Sequence, residues 1–227
     1  MLPMPAGCWL CLMPLRYSQH GLCSVCLRQL LTQPACCPRC GLPSQMKKKA
    51  CGRCLRRPPP WQHLVRVTPW QPPLDRLVNQ LKFYRATAHA VMLARLMLLC
   101  WLMQRRETGL RRPDLLLTVP LHHRRAWQRG YNQLEDMAHW LARRVPCQYL
   151  PRAVTRIRAG HIQHTLGAVA RRKNLRGAFR LEREVRGLHI SLLDDVVTTG
   201  STAAEISRLL LAHGAASVQI WCLCRTL

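Results

Sequence analysis

Residues 192–202 read Leu-Leu-Asp-Asp-Val-Val-Thr-Thr-Gly-Ser-Thr, and this stretch decides how the chain is read. The apolar run from His189 to Leu193 predicts a buried strand. Thr202 with Glu205 fits the cap-x-x-Glu arrangement that satisfies free N–H groups in a first helical turn, and Gly214 suits a left-handed stop after His213. A strand, a short loop and a helix N-terminus therefore follow one another directly, and ligands of open parallel sheets bind at such carboxyl ends of strands. Backbone N–H groups of a tight Thr-Thr-Gly-Ser-Thr loop can surround a phosphate. The hydroxyls of Thr198, Thr199, Ser201 and Thr202 add donors, Gly200 permits the turn, and the helix dipole favours the anion. Asp194 and Asp195 can accept hydrogen bonds from two neighbouring sugar hydroxyls, directly or beside a magnesium ion. A helix capped after a buried strand would need only one of these hydroxyls. Neither Gly-x-x-x-x-Gly-Lys-Ser/Thr nor Gly-x-Gly-x-x-Gly occurs, which excludes a P-loop and a dinucleotide fingerprint.

Outward from this stretch, apolar strands alternate with helical patterns. Leu115 to Val119 and Val218 to Cys222 read as further strands, and 74–83, 87–105, 132–144 and 202–213 as helices, with Asn132 and Glu135 as a second capping pair. The alternation predicts an α/β domain over 74–227, a largely parallel sheet covered by helices. Twelve of the 16 prolines precede residue 74, and Pro58-Pro59-Pro60 makes a stiff connector, so 58–73 reads as a Pro-rich linker and lead-in.

Residues 1–57 follow a different chemistry. Nine of the 13 cysteines lie here, eight of them in four Cys-x-x-Cys pairs: Cys8/Cys11, Cys23/Cys26, Cys37/Cys40 and Cys51/Cys54. Two intervening residues let both thiolates of a knuckle face one ion, and a second knuckle 10 or 11 residues on completes a shell of four sulfurs. Sequential pairing predicts one zinc on Cys8, Cys11, Cys23 and Cys26 and another on Cys37, Cys40, Cys51 and Cys54, with a cross-braced arrangement as the alternative. Four thiolates leave no open position, so both ions are expected to be structural. Cys36 is a spare, and the Pro-rich, polar segment is expected to need metal in order to fold. Disulfides would need an oxidising compartment, whereas no positive n-region precedes an apolar run near Met1 and the chain is expected in the cytoplasm.

The formal net charge is +25, from 35 Lys and Arg against 10 Asp and Glu. Such a balance suits a polyanionic partner, nucleic acid first, or simply many solvated arginines. The module holds nine Lys and Arg and no acid, with Lys47, Lys48 and Lys49 between the knuckles of the second site, where they can neutralise phosphates or serve as a solubilising turn. The most membrane-like stretch, Ala90 to Met103, contains Arg95 and is too short to span a bilayer, so it reads as a buried helix.

The segment LLDDVVTTGST resembles the phosphoribosyl pyrophosphate signature of type I phosphoribosyltransferases. With VPLHHRRAWQRGYNQ at 119–133, RIRAGHIQHTLGAVARRKNLRGAF at 156–179 and the paired zinc knuckles, the chain resembles the ComF/GntX family over nearly its whole length. The resemblance implies a double zinc-ribbon module on a phosphoribosyltransferase-like fold, linked to uptake or use of external DNA, including competence. Under it, Asp194 and Asp195 contact the ribose, Thr198, Thr199, Gly200, Ser201 and Thr202 hold the 5′-phosphate, and Val119 to Arg125, with Arg124, Arg125 and Arg129, face a magnesium-bound pyrophosphate. Arg156 to Arg176 would be a mobile lid, or else a basic face for DNA. Tyr131 stands where Phe is common in the family and Gly160 where Thr is frequent, and neither change removes a charge. One expectation is transfer of ribose phosphate to an unnamed acceptor. Another is a non-catalytic adaptor for single-stranded DNA, with Lys47 to Lys49, Arg56, Arg57, Trp61 and Trp70 on its surface. The same basic surfaces would also suit recruitment of a DNA-uptake helicase or membrane channel.

Overall fold

A computed structural model describes residues 6–46, 48–83, 88–121, 132–157 and 175–226. The apolar stretches form strands β1 (His63–Pro69), β2 (Leu115–Thr118), β3 (Gln148–Tyr149), β6 (His189–Val197) and β7 (Ser217–Arg225) of one sheet, in the order β1-β7-β6-β2-β3. All four pairings are parallel. A separate antiparallel pair joins β4 (Val154–Arg156) to β5 (Phe179–Leu181). Helices are α1 (Ser24–Leu31), α2 (Gly52–Arg56), α3 (Leu74–Phe83), α4 (Ala88–Thr108), α5 (Leu134–Ala142) and α6 (Ser201–Ala212).

The sheet is buried on both faces, as parallel sheets require. Leu116, Leu193, Trp221 and Leu223 pack with Leu77, Leu93, Met97 and Met137 of α3, α4 and α5. Their neighbours Leu115, Leu117, Ile190, Leu192 and Ile220 point the other way, onto Ala203, Ile206 and Leu210 of α6 and the β4–β5 pair. The stretch 90–103 lies inside α4, and no helix among the described residues is long and apolar enough to cross a membrane.

One feature departs from the sequence reading. His63–Pro69, placed there in the linker and lead-in, is strand β1 at the sheet edge, paired with β7 on one side. The cysteine-rich module packs against the large domain. Cys8, Leu22, Cys26 and Leu30 share a core with Val65, Leu93 and Met97, and on the far side of β1 Leu64 N–H donates to Pro38 O at 2.8 Å.

The module is an internal repeat. The bridge Gly7–Pro14 recurs as Cys36–Pro43, and Cys8 N–H to Met13 O as Cys37 N–H to Leu42 O, both at 2.8 Å. Each knuckle turns through a left-handed residue, Leu12 (φ 62°) in the first and Gly41 (φ 70°) in the second.

Candidate functional site

Strand β6 runs on to Val197, so Asp194 and Asp195 lie within its last residues rather than after it. Side chains alternate along a strand, which directs the two carboxyls to opposite faces. Asp195 turns toward α3 and α5: its Oδ1 lies 3.0 Å from Lys82 Nζ, and its Oδ2 accepts from Gln133 Nε2 at 2.7 Å. Gln133 is itself only 1% exposed. Asp194 Oδ1 accepts from the Asp195 N–H at 2.9 Å. Burial first, and the Asp195 charge second, push the Asp194 carboxyl up to about 7, against the pull of Lys82.

The loop follows at once. Thr198 and Thr199 are exposed, Gly200 turns at φ 75°, and α6 begins at Ser201. The capping differs from the expectation built on Thr202 and Glu205. Gly200 is the N-cap, Thr199 Oγ1 accepts from the Ser201 N–H at 3.3 Å, and the Thr199 and Ser201 hydroxyls are 2.8 Å apart. Glu205 instead accepts from Gly177 N–H at 2.9 Å and pairs with Arg208 at 3.0 Å. At α5 the N-cap is Gln133, without a side-chain cap, rather than Asn132, whose Oδ1 accepts from Leu134 N–H at 3.1 Å. Gly214 stops α6 at φ 85° as expected. The acid pair and the hydroxyl-bearing loop therefore meet at the carboxyl end of one strand, beside first-turn N–H groups that no helix can satisfy internally.

Four residues that the sequence did not single out for this site support it. Lys82 and Gln133 hold Asp195, as above. Arg225, 7% exposed at the end of β7, donates from Nη1 to the carbonyls of Val197 (3.1 Å) and Thr198 and from Nε to Cys40 O (3.0 Å). Trp61 donates from Nε1 to Arg39 O at 2.6 Å, and its ring edge lies under Gly200, where an added Cβ would meet Cη2 at 3.1 Å. Only proximity in the fold reveals these roles; a run of polar residues does not.

The eight cysteines form two groups, Cys8, Cys11, Cys23 and Cys26 and then Cys37, Cys40, Cys51 and Cys54, with the sulfurs of each within 4.8 Å of one another. This is the sequential pairing. Tetrahedral zinc with Zn–S bonds of about 2.3 Å sets sulfurs about 3.8 Å apart. Cys11 and Cys23 stand at 3.6 Å and Cys40 and Cys51 at 3.8 Å. Backbone N–H groups of Cys23 and Cys51 point at the Cys8 and Cys37 sulfurs at 3.4 and 3.3 Å, as suits thiolates. The donor sets fit zinc, each with a closed shell, and Cys36 belongs to neither.

Arg124, Arg125, Arg129, Lys47 and most of the 156–176 segment lie outside the described residues. Lys48, Lys49, Arg56 and Arg57 are exposed. Trp61, by contrast, is buried and bonded, so it offers no face for a stacked base; Trp70 is half-buried, with Lys82 Nζ 5.6 Å from its ring centroid.

Comparison with known proteins agrees with this architecture. The phosphoribosyl transferase domain family matches residues 134–227, which span β6, the loop and β7. The chain is 53% identical, over the full length of both, to the DNA utilization protein YhgH of Salmonella typhimurium. It is 36% identical, over 93% of each chain, to Competence protein F of Haemophilus influenzae. Among solved structures it is similar to an L. donovani hypoxanthine-guanine phosphoribosyl transferase, at 16% identity over 60% of this chain and 71% of that one with a TM-score of 0.37, a distance at which nothing about chemistry transfers. The chain belongs to the ComF/GntX family.

Proposed function

We propose that the C-terminal domain binds phosphoribosyl pyrophosphate, or a closely related sugar phosphate, together with magnesium at the carboxyl end of β6, in a cytoplasmic protein serving the uptake or use of external DNA. The observation that carries this reading is the meeting of Asp194 and Asp195 with the 198–202 loop at one strand end. In this reading the carboxyls take the ribose hydroxyls, Thr198 to Thr202 take the 5′-phosphate, and Arg124, Arg125 and Arg129 neutralise pyrophosphate. Magnesium supplies charge stabilisation to the pyrophosphate. Asp195, pinned by Lys82 and Gln133, and its neighbour Asp194 orient the sugar and favour positive charge at its reacting carbon if the bond to pyrophosphate breaks toward an acceptor. The names of the relatives, a DNA utilization protein and a competence protein, support the cellular setting.

Calorimetry with phosphoribosyl pyrophosphate and magnesium tests the reading, on the natural chain and on Asp194→Asn/Asp195→Asn. Saturable binding that disappears in the variant supports it. Equal heats from the two proteins defeat it.

A second reading, a binding surface for single-stranded DNA, is favoured by one observation: Lys48, Lys49, Arg53, Arg56 and Arg57 are all exposed on the second half of the cysteine-rich module. Counterion release then predicts affinity that falls as salt rises, with a log–log slope that drops by about 0.7 for each of these cations changed to Ala. Absence of binding at low salt ends this reading.

A further inference from the structure

We propose that the second cysteine cluster sets the shape of the 198–200 loop through Arg225 and Trp61, so that phosphate capture at β6 depends on metal held by Cys37, Cys40, Cys51 and Cys54. The inference rests on the ligand reading above for its consequence, but not for the mechanical link itself.

Three consecutive carbonyls of the second knuckle are each taken by a different part of the large domain. Pro38 O accepts from Leu64 N–H at 2.8 Å, Arg39 O from Trp61 Nε1 at 2.6 Å, and Cys40 O from Arg225 Nε at 3.0 Å. Beyond the knuckle, Arg225 Nη1 reaches the carbonyls of Val197 (3.1 Å), Thr198 and Thr226 (2.7 Å). The Trp61 ring edge lies against Gly200. Two of these contacts therefore run from the knuckle to the segment that opens α6, Arg39 through Trp61 to Gly200 and Cys40 through Arg225 to Val197 and Thr198, while Leu64 holds Pro38 to β1. The guanidinium suits the task because it is planar, always charged and presents five donors in a rigid fork.

Close approach holds the knuckle against these tethers. A Cβ on Gly41 would stand 2.6 Å from Leu64 Cδ2 and 3.3 Å from Arg66 Cδ, so the turn after Cys40 lies directly on β1. Metal bonds at Cys37 and Cys40 fix the backbone of this turn, and with it the positions of all three carbonyls. Without metal, the knuckle keeps only its hydrogen bonds, and a buried guanidinium loses a fixed acceptor. The loop then samples more conformations, and an anion that needs its N–H groups prearranged binds more weakly. The first cluster takes a different place: Cys8 and Cys26 join the α4 side of the core, and Trp9 packs on His89 with ring centroids 4.3 Å apart.

The test uses the full chain and reads amide hydrogen exchange over 197–204 without ligand, followed by titration with phosphoribosyl pyrophosphate and magnesium. Cys51→Ala breaks the second cluster, Cys11→Ala is the matched lesion in the first, and Arg225→Ala cuts the tether with both clusters intact; metal content is measured for each. Cys51→Ala and Arg225→Ala are each expected to speed loop exchange and weaken ligand binding by about tenfold, and the double variant to be no worse than the stronger single one. Cys11→Ala is expected to leave loop exchange at the natural rate. Unchanged loop exchange in Arg225→Ala overturns the proposal, as do additive effects in the double variant or an equal response to Cys11→Ala. If Cys51→Ala fails to fold, Arg225→Ala and Arg225→Lys decide on fully metallated protein, the lysine falling between the natural chain and alanine. A natural chain that binds no phosphoribosyl pyrophosphate sinks the ligand reading alone, since exchange is read without ligand.

Discussion

Lys82 Nζ lies 3.0 Å from Asp195 Oδ1, whereas Asp194, the preceding residue of β6, feels that ammonium only at a distance. One cation from α3 thereby makes two adjacent acids unlike. Asp195 is held in place by Lys82 and Gln133, and Asp194 sits in buried surroundings that raise its affinity for a proton.

Replacing Lys82 by Met keeps the stem and removes the charge, leaving Asp195, half-buried, with Gln133 as its side-chain partner among the described residues. The expected loss is about 1–2 kcal/mol at pH 8, below the full cost of breaking a wholly buried pair because both side chains touch solvent. Thermal unfolding at pH 8 should show the gap from the natural chain narrowing as salt rises, because the charge–charge contribution is screened. A gap independent of salt would mean that Lys82 acts through packing alone.

Asp194→Asn should be more stable than the natural chain at pH 8. The carboxyl's pKa is raised from an ordinary 3.8 to about 7, so folding favours its protonated form. Its contribution is fully present below about pH 4 and is lost as pH rises through about 7. The amide avoids that loss. A gain on the order of 1–2 kcal/mol at pH 8, allowing for solvent near the strand end, should fade toward pH 4 in denaturant melts. Weaker sugar-phosphate binding in the same variant would be the functional counterpart of that gain.

The two knuckles make opposite predictions at one repeated position. Leu12 holds φ 62° with its side chain 81% exposed, so Leu12→Gly relieves left-handed strain and should stabilise the first knuckle by about 0.5–1 kcal/mol. Gly41→Ala adds strain and a contact at 2.6 Å from Leu64, and should cost about 2 kcal/mol or more. Competition with a chelator, followed separately in the two variants, reads both signs.

At Gly200 a Cβ would meet Trp61 Cη2 at 3.1 Å in a backbone with φ 75°. Gly200→Ala should lower stability by about 1–2 kcal/mol. Adding Trp61→Phe should bring less than the sum of the two single losses, because the smaller ring yields the space. Strict additivity would show that the alanine is accommodated elsewhere.

Local patterns made much of this legible from sequence. The Cys-x-x-Cys pairs are read correctly because metal geometry acts across two residues, and α3 begins at Leu74 as expected because an amphipathic helix repeats its signal every turn. Strand β1 escaped notice because Pro58–Pro60, Pro69, Pro72 and Pro73 surround it and suggest a linker, although an edge strand tolerates Pro at its end. The end of β6 was also missed: two acids look like a loop, yet Lys82 and Gln133 make them tolerable in a strand. Neither Arg225 nor Trp61, the latter read as a surface ring, gave any signal of a role at this loop, since each meets its partners across gaps in sequence that no periodicity spans.

Strand β7 sits between β1 and β6, although it is the latest-made of the five. Gln62 and Val218, 156 positions apart, are joined by a hydrogen bond where β1 and β7 begin. On the ribosome, β1 therefore waits for its neighbour through most of synthesis, and β6 has only β2 beside it when it emerges. The sheet closes when β7 inserts between β1 and β6, so its central pairings are the most non-local of the fold and cannot form until the last of the five strands is present.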